Sequence, residues 1–147
     1  MALDKYEFMH GAALVQVVND PAFTSLNKAS DAYGHYVINE DRRLFMKYST
    51  ARSSRWQFTF HLDEIEAIRA DMEDFPTYVG LVCGTDGVAL LSGAELMDLV
   101  GTCDADQPAV MVSRPRGGSY RVSCGDVQLP HTIRQNSFPR RLINLEI

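Results

Sequence analysis

The sequence predicts an α+β fold, a single domain over residues 1–147 built on a central mixed sheet. Three observations carry this. Apolar residues recur at helical spacing near the N-terminus and again between Leu62 and Asp74. The segment Trp56-Gln57-Phe58-Thr59-Phe60-His61 alternates strictly, with Trp56, Phe58 and Phe60 on one face, which is the mark of a half-buried strand. The run Thr77 to Cys83, TYVGLVC, is apolar throughout and suits an interior strand covered on both faces.

In order, Asp4 and Glu7 form a capping-box pattern that opens a helix over Lys5 to Asn19, with Phe8, Ala12, Val15 and Val18 along one stripe. Asp20-Pro21 stops it. Residues 22–34 read as polar and turn-like, anchored by Phe23 and Leu26, with room for a short strand. His35 to Asn39 and Leu44 to Ser49 read as a hairpin across Glu40 to Arg43, followed by the strand Trp56 to His61. Leu62 to Asp74 is a helix ended by Pro76. Tyr78 to Cys83 and Val88 to Leu91 pair across Gly84 to Gly87, and Ser92 with Glu95 caps a short helix ending near Gly101. Beyond a loose loop around Asp104, a C-terminal hairpin joins Ala109–Ser113 to Tyr120–Ser123. Residues 126–147 give no clear assignment. The core is therefore helix-strand-strand-strand-helix-strand, with the hairpin added.

Composition narrows the function classes. No run is long enough to cross a bilayer, and Asp4 and Glu7 stand where a signal peptide would carry positive charge, so cytoplasmic residence without membrane attachment is the expectation. Cys83, Cys103 and Cys124 are odd in number and form no CxxC pair, which argues against a disulfide framework. His10, His35, His61 and His131 lack metal-ligand spacing, so no metal site is read from the residues. Nucleophilic chemistry by Cys83 with His61 as base would require the fold to bring them together.

The net charge of −5 is unevenly distributed. From Leu62 to Asp106 eleven acidic residues face only Arg69. Arg42, Arg43, Lys47, Arg52 and Arg55 crowd the earlier stretch, and six arginines follow Gln107. One acidic and one basic face would suit a basic protein partner and a polyanion respectively. Within the basic stretch, the loop Ser49 to Arg55 is the candidate anion site. Ser49, Ser53, Arg52 and Arg55 offer hydroxyls and guanidinium groups to phosphate oxygens, and Trp56 offers a ring to a base.

The element order also resembles the restriction-endonuclease-like PD-(D/E)xK nuclease superfamily over the first eighty-odd residues. The resemblance implies a metal-dependent nuclease scaffold in which Lys47 is the catalytic lysine, Glu7 assists from the first helix and magnesium is the cofactor. Here the residue two before Lys47 is Phe45 rather than an acid, and the preceding strand ends in Asn39 rather than aspartate. Only Glu40 and Asp41 stand nearby. The expectation is a degenerate scaffold that recognises nucleic acid or a protein partner without turnover. The alternatives are an active nuclease with a shifted site using Glu7, Asp41 and Lys47, and a small acidic interaction protein. Oligomeric state is left open.

Overall fold

The computed structural model describes residues 1–103 and 105–144. The chain forms α1 (Lys5–Val18), β1 (Leu26–Lys28), β2 (His35–Ile38), β3 (Arg42–Ser49), β4 (Trp56–Thr59), α2 (Leu62–Asp74), β5 (Thr77–Cys83), β6 (Gly87–Ser92), α3 (Gly93–Val100), β7 (Ala109–Ser113), β8 (Arg121–Cys124), β9 (Val127–Gln128) and α4 (Arg140–Asn144). The α+β reading holds, with two sheets in place of one. A mixed sheet runs β1-β2-β3-β5-β6, and an antiparallel sheet runs β4-β7-β8-β9. Only β3 and β5 are parallel, in register from Arg43 opposite Thr77 to Ser49 opposite Cys83.

Two departures from the sequence reading matter for the site. The strand at Trp56 does not extend the first hairpin; β4 pairs with β7, Trp56 opposite Val112. Its place in the mixed sheet is taken by β1, which lies in the segment read as turn-like. Asn39 explains how β1 is held there. At φ 52 in the β2–β3 loop, its side-chain oxygen accepts from the Thr24 and Ser25 amides at 2.7 and 3.3 Å, and its amide donates to the Ala22 carbonyl. The described part of the tail packs against the core. Phe138, Leu142 and Ile143 are buried on the outer face of the mixed sheet; residues 145–147, the last part of the unassigned tail, lie outside the described residues.

Alternation along the central strands divides the interior in two. Val79, Leu81, Ala89 and Leu91 face α2, α3 and the second sheet, with Trp56, Phe58 and Phe60 opposite. Leu44, Met46, Val82, Val88 and Leu90 face α1 and α4. A sheet covered on both sides accounts for the uninterrupted apolar run of β5.

Helix α1 forms where its capping box predicts, but it lies on the sheet by a different face. Its buried residues are His10, Ala13 and Val17, at i, i+3 and i+7. Phe8, Ala12, Val15 and Val18, the stripe marked by the sequence, point to solvent.

At the end of β3 the chain turns against Gly84, whose amide donates to the Ser49 carbonyl at 2.9 Å. Gly84 has φ 54, and a Cβ there would run into the Ala51 carbonyl oxygen. Gly84→Ala should therefore destabilise the fold by about 1–3 kcal/mol. Gly117→Ala, also at positive φ but with nothing within 4 Å of the added carbon, should cost only about 1 kcal/mol. Equilibrium urea denaturation of both variants checks the contrast.

Candidate functional site

Two regions gather the candidate residues: a cleft at Lys47 and an arginine-rich end beside the loop 50–55. The cleft exists because β3 outruns its neighbour. Strand β2 pairs with β3 only as far as His35 opposite Phe45, and the last link is the Met46 amide donating to the Gly34 carbonyl at 2.7 Å. Beyond it the β2 side of β3 carries no strand. Two hollows of about 420 and 390 Å³ occupy the gap, one towards α2 and one towards α1, with Tyr33, Met46, Lys47 and Glu64 lining both.

Lys47 is not free in this cleft. Its Nζ lies 2.8 Å from Glu64 Oε2 on α2 and 5.0 Å from the centre of the Phe60 ring. Glu64 Oε1 accepts from the His61 amide at 2.9 Å, so the same carboxylate caps α2 and holds the lysine. One α2 turn pair further, at i+7, Asp71 accepts from or pairs with His35 Nε2 at 2.7 Å, and His35 stacks on Phe45 at 4.1 Å. On the α1 side, His10 is only 4% exposed, set edge-on to Tyr6 and Tyr48, and neither ring nitrogen has a hydrogen-bond partner. Burial, reinforced by the Lys47 charge, pushes the His10 pKa down to about 4.

The residues assigned to a metal-dependent site do not converge. Glu7 is exposed and its carboxylate accepts from the Asp4 amide at 2.8 Å, completing the helix cap. Asp41 pairs with Arg42 in the β2–β3 loop, six residues before Lys47. That spacing along β3 corresponds to ~20 Å. Among the described residues no three His, Cys, Asp or Glu side chains are placed to hold a metal ion. The donors beside Lys47 do not fit magnesium either, since both Glu64 oxygens are engaged and the nearby Asp63 Oδ1 accepts from the Glu64 amide. Cys83 and His61 do not form a nucleophile–base pair. Cys83 is fully buried with its thiol pushed up to about 12 by burial, while His61 is exposed at the start of α2.

The loop residues fare differently. Arg52, Ser53 and Arg55 are exposed, whereas Ser49 ends β3 with its carbonyl bonded to Gly84. Trp56 is a correction: it is 2% exposed, its indole N–H donates to the Ala51 carbonyl at 2.9 Å, and its ring meets Tyr120 edge-on. It anchors the loop to the core and presents no face to a base. Ser54 Oγ accepts from the Arg114 amide at 2.9 Å, joining this loop to the turn between β7 and β8. Arg114 itself is spent on Asp86 through two bonds of 2.8 and 2.7 Å, with Tyr120 O–H donating to the same carboxylate at 2.8 Å. These bonds, Arg114 first, hold the Asp86 carboxyl below its ordinary value. Asp86 is thereby already paired. Arg52, Arg55, Arg116 and Arg121 remain exposed there, and among the described residues none of the four makes an ion pair.

Glu64, Asp71 and His10 were not among the candidates read from the sequence. The i, i+7 spacing of Glu64 and Asp71 was a legible sign that one face of α2 carries both carboxylates. His10 had no such sign, because it sits outside the most apolar stripe of its helix. Comparison with protein-family models, with curated proteins and with solved structures finds no match for this chain.

A buried histidine held neutral binds fewer protons in the folded than in the unfolded chain between pH 6.5 and about 4. Its contribution is fully present above pH 6.5 and is lost as pH falls towards 4. His10→Phe should flatten the fall in denaturation midpoint across that window. By NMR titration, Lys47→Met should move the His10 pKa part of the way back up.

Proposed function

We propose that this domain recognises a polyanion, the phosphate backbone of a nucleic acid, and does so without turnover. The observation that carries the reading is the Ser54–Arg114 bond, which sets Arg52 and Arg55 beside the turn bearing Arg116 and, one strand over, Arg121. Two basic segments far apart in the sequence are joined at a point where the carboxylate of Asp86 is already bound by Arg114. Exposed guanidinium groups in such a cluster exchange condensed counterions for direct phosphate contacts, with bidentate geometry open to each. The order of elements supports a nuclease-like ancestry. A helix, three strands of the mixed sheet, β4 of the other sheet, a helix and a further strand of the mixed sheet succeed one another, so the order fits with β1 in place of β4 as the third strand and β4 set aside. The Lys47 cleft argues against catalysis of the implied kind, since its lysine and carboxylate neutralise each other.

The acidic-docking reading is weakened by the same bookkeeping of charges. Of the eleven acids between Leu62 and Asp106, Glu64, Asp71, Asp86 and Glu95 are engaged by Lys47, His35, Arg114 and Arg141. The face they would form is correspondingly less negative than the sequence suggests.

Fluorescence anisotropy with a labelled oligonucleotide, single-stranded and duplex, tests the proposal across a salt series. Affinity should fall steeply as salt rises, and the Arg52→Ala, Arg55→Ala variant should shallow the log–log slope by about 2 while weakening binding. Binding that is unchanged in this variant, or absent at low salt, rules the surface out. With magnesium or manganese added, the oligonucleotide should stay intact; cutting abolished by Lys47→Ala would reinstate the nuclease.

A further inference from the structure

The α2 side of the Lys47 cleft, a hollow of about 420 Å³, is lined by three side chains joined in series. Ser30 Oγ lies 2.8 Å from His35 Nδ1, and His35 Nε2 lies 2.7 Å from Asp71 Oδ2. The three come from the β1–β2 loop, the first residue of β2 and the second half of α2. Asp71 follows His35 by thirty-six residues, so only the crossover helix brings the acid to the ring.

We infer that Ser30, His35 and Asp71 are a nucleophile, a base and an orienting acid, and that the cleft hydrolyses a small uncharged carboxylic ester through an acyl-serine. A neutral imidazole has one N–H and one lone pair, and its two contacts decide which nitrogen carries which. An ionised Asp71 can only accept, so the proton sits on Nε2 and the lone pair on Nδ1 faces the serine hydroxyl. Ser30 Oγ also accepts from the Ala32 amide at 3.2 Å, which leaves its own proton for the ring. The imidazole stacks on Phe45 at 4.1 Å and 16°, and this holds it in line between its partners. Exposure is graded to suit the roles. Ser30 is open to solvent, while the His35 and Asp71 side chains are 12 and 20% exposed.

The walls select the substrate. Phe45, Phe60, Ala67 and Ile68 offer an apolar surface to a short acyl chain. Lys47 and Glu64 cancel each other's charge, and Asp63 and Asp71 make the hollow hostile to an anion. A neutral ester fits where a phosphate chain does not, so this chemistry is separate from phosphate recognition at the loop 50–55. In the first half, Ser30 Oγ bonds to the ester carbonyl carbon while its proton passes to His35 Nδ1. The bond from that carbon to the alcohol oxygen then breaks, and the alcohol leaves with the proton. In the second half, water oxygen bonds to the acyl carbon and gives a proton to Nδ1; Ser30 Oγ leaves and takes that proton back. One ester and one water become one acid and one alcohol, with no change of oxidation state. Asp71 balances the ring's charge whenever both nitrogens are protonated. The amides of Asp31, Tyr33 and Gly34 donate no backbone hydrogen bond among the described residues, and they are the donors nearest in sequence for the tetrahedral oxyanion.

The test treats the full chain with a fluorophosphonate, which modifies activated serines, and assays it with p-nitrophenyl butyrate. Peptide mass spectrometry should find an adduct on Ser30 that is absent from Ser30→Ala and from His35→Gln. Ser30→Ala should also slow hydrolysis by about a hundredfold or more while its thermal midpoint holds, because the side chain it removes is exposed. Asp71→Asn acts through the ring and should lower kcat by about tenfold or more with KM unchanged, a split that a loosened cleft would not give. A wild-type chain unlabelled at Ser30 overturns the inference, as does hydrolysis that is equal in wild type and Ser30→Ala. A rise in KM without a fall in kcat for Asp71→Asn overturns its orienting role. Oligonucleotide binding by Ser30→Ala should match the wild type, so failure at one site is told apart from failure at the other.

Discussion

The parallel pairing of β3 with β5 is the constraint on which the rest of the molecule depends. Two parallel neighbours cannot be joined by a tight turn, so the chain must leave the sheet after Ser49 and return at Thr77. Everything between those points is shaped by that excursion. The loop 50–55, strand β4 and helix α2 are all parts of one crossover. It delivers the exposed arginines at its start, the buried Trp56–Phe60 stripe in its middle and the Glu64–Asp71 face at its end. Since α2 lies over β3, Glu64 reaches Lys47; since β4 overshoots into the second sheet, Ser54 reaches Arg114.

Much of this was legible in the chain, and the gaps have identifiable physical causes. The apolar run Thr77–Cys83 announced an interior strand because burial on both faces removes alternation. Capping patterns at Asp4 and Ser92 placed helix starts because they satisfy amides that have no intrahelical partner. What local pattern cannot encode is which surface an element meets. The period-two signal of β4 was correct, yet its partner lies some fifty residues onward, and nothing within Trp56–Thr59 distinguishes Ser49 from Val112 as a neighbour. Helix α1 shows the same limit in its sharpest form. Its apolar stripe identified a helix and misidentified the buried face, because a helix apolar nearly all round leaves periodicity with little to choose between.

At the site, composition named the right groups more reliably than their roles. Lys47 was visible as the one lysine beyond Lys28, but its engagement with Glu64 depends on how α2 returns. Trp56 was read as a ring offered to a base, and its indole instead fastens Ala51. The same bond makes the arginine loop an ordered surface. Gly84 on one side, the tryptophan beneath and Ser54 at the far end hold it at three points, so the backbone that carries its guanidinium groups is already fixed. His10 is the reverse case, a polar group whose needs the folded chain leaves unmet within a cleft large enough for a small molecule.

The exchange of β4 into the second sheet reaches beyond the site. Residues 56–59 from the first half of the chain form the edge on which residues 109–112 of the second half are laid, so neither half owns a complete sheet. The two layers are buckled together like a clasp. A nascent chain that has emerged only as far as α3 displays Trp56, Phe58 and Phe60 on a bare strand with no mate, a segment prone to sticking to its own kind. Maturation of this domain accordingly waits on synthesis of its last third, and a nick anywhere in the intervening loop would leave two fragments that need each other to stay in solution.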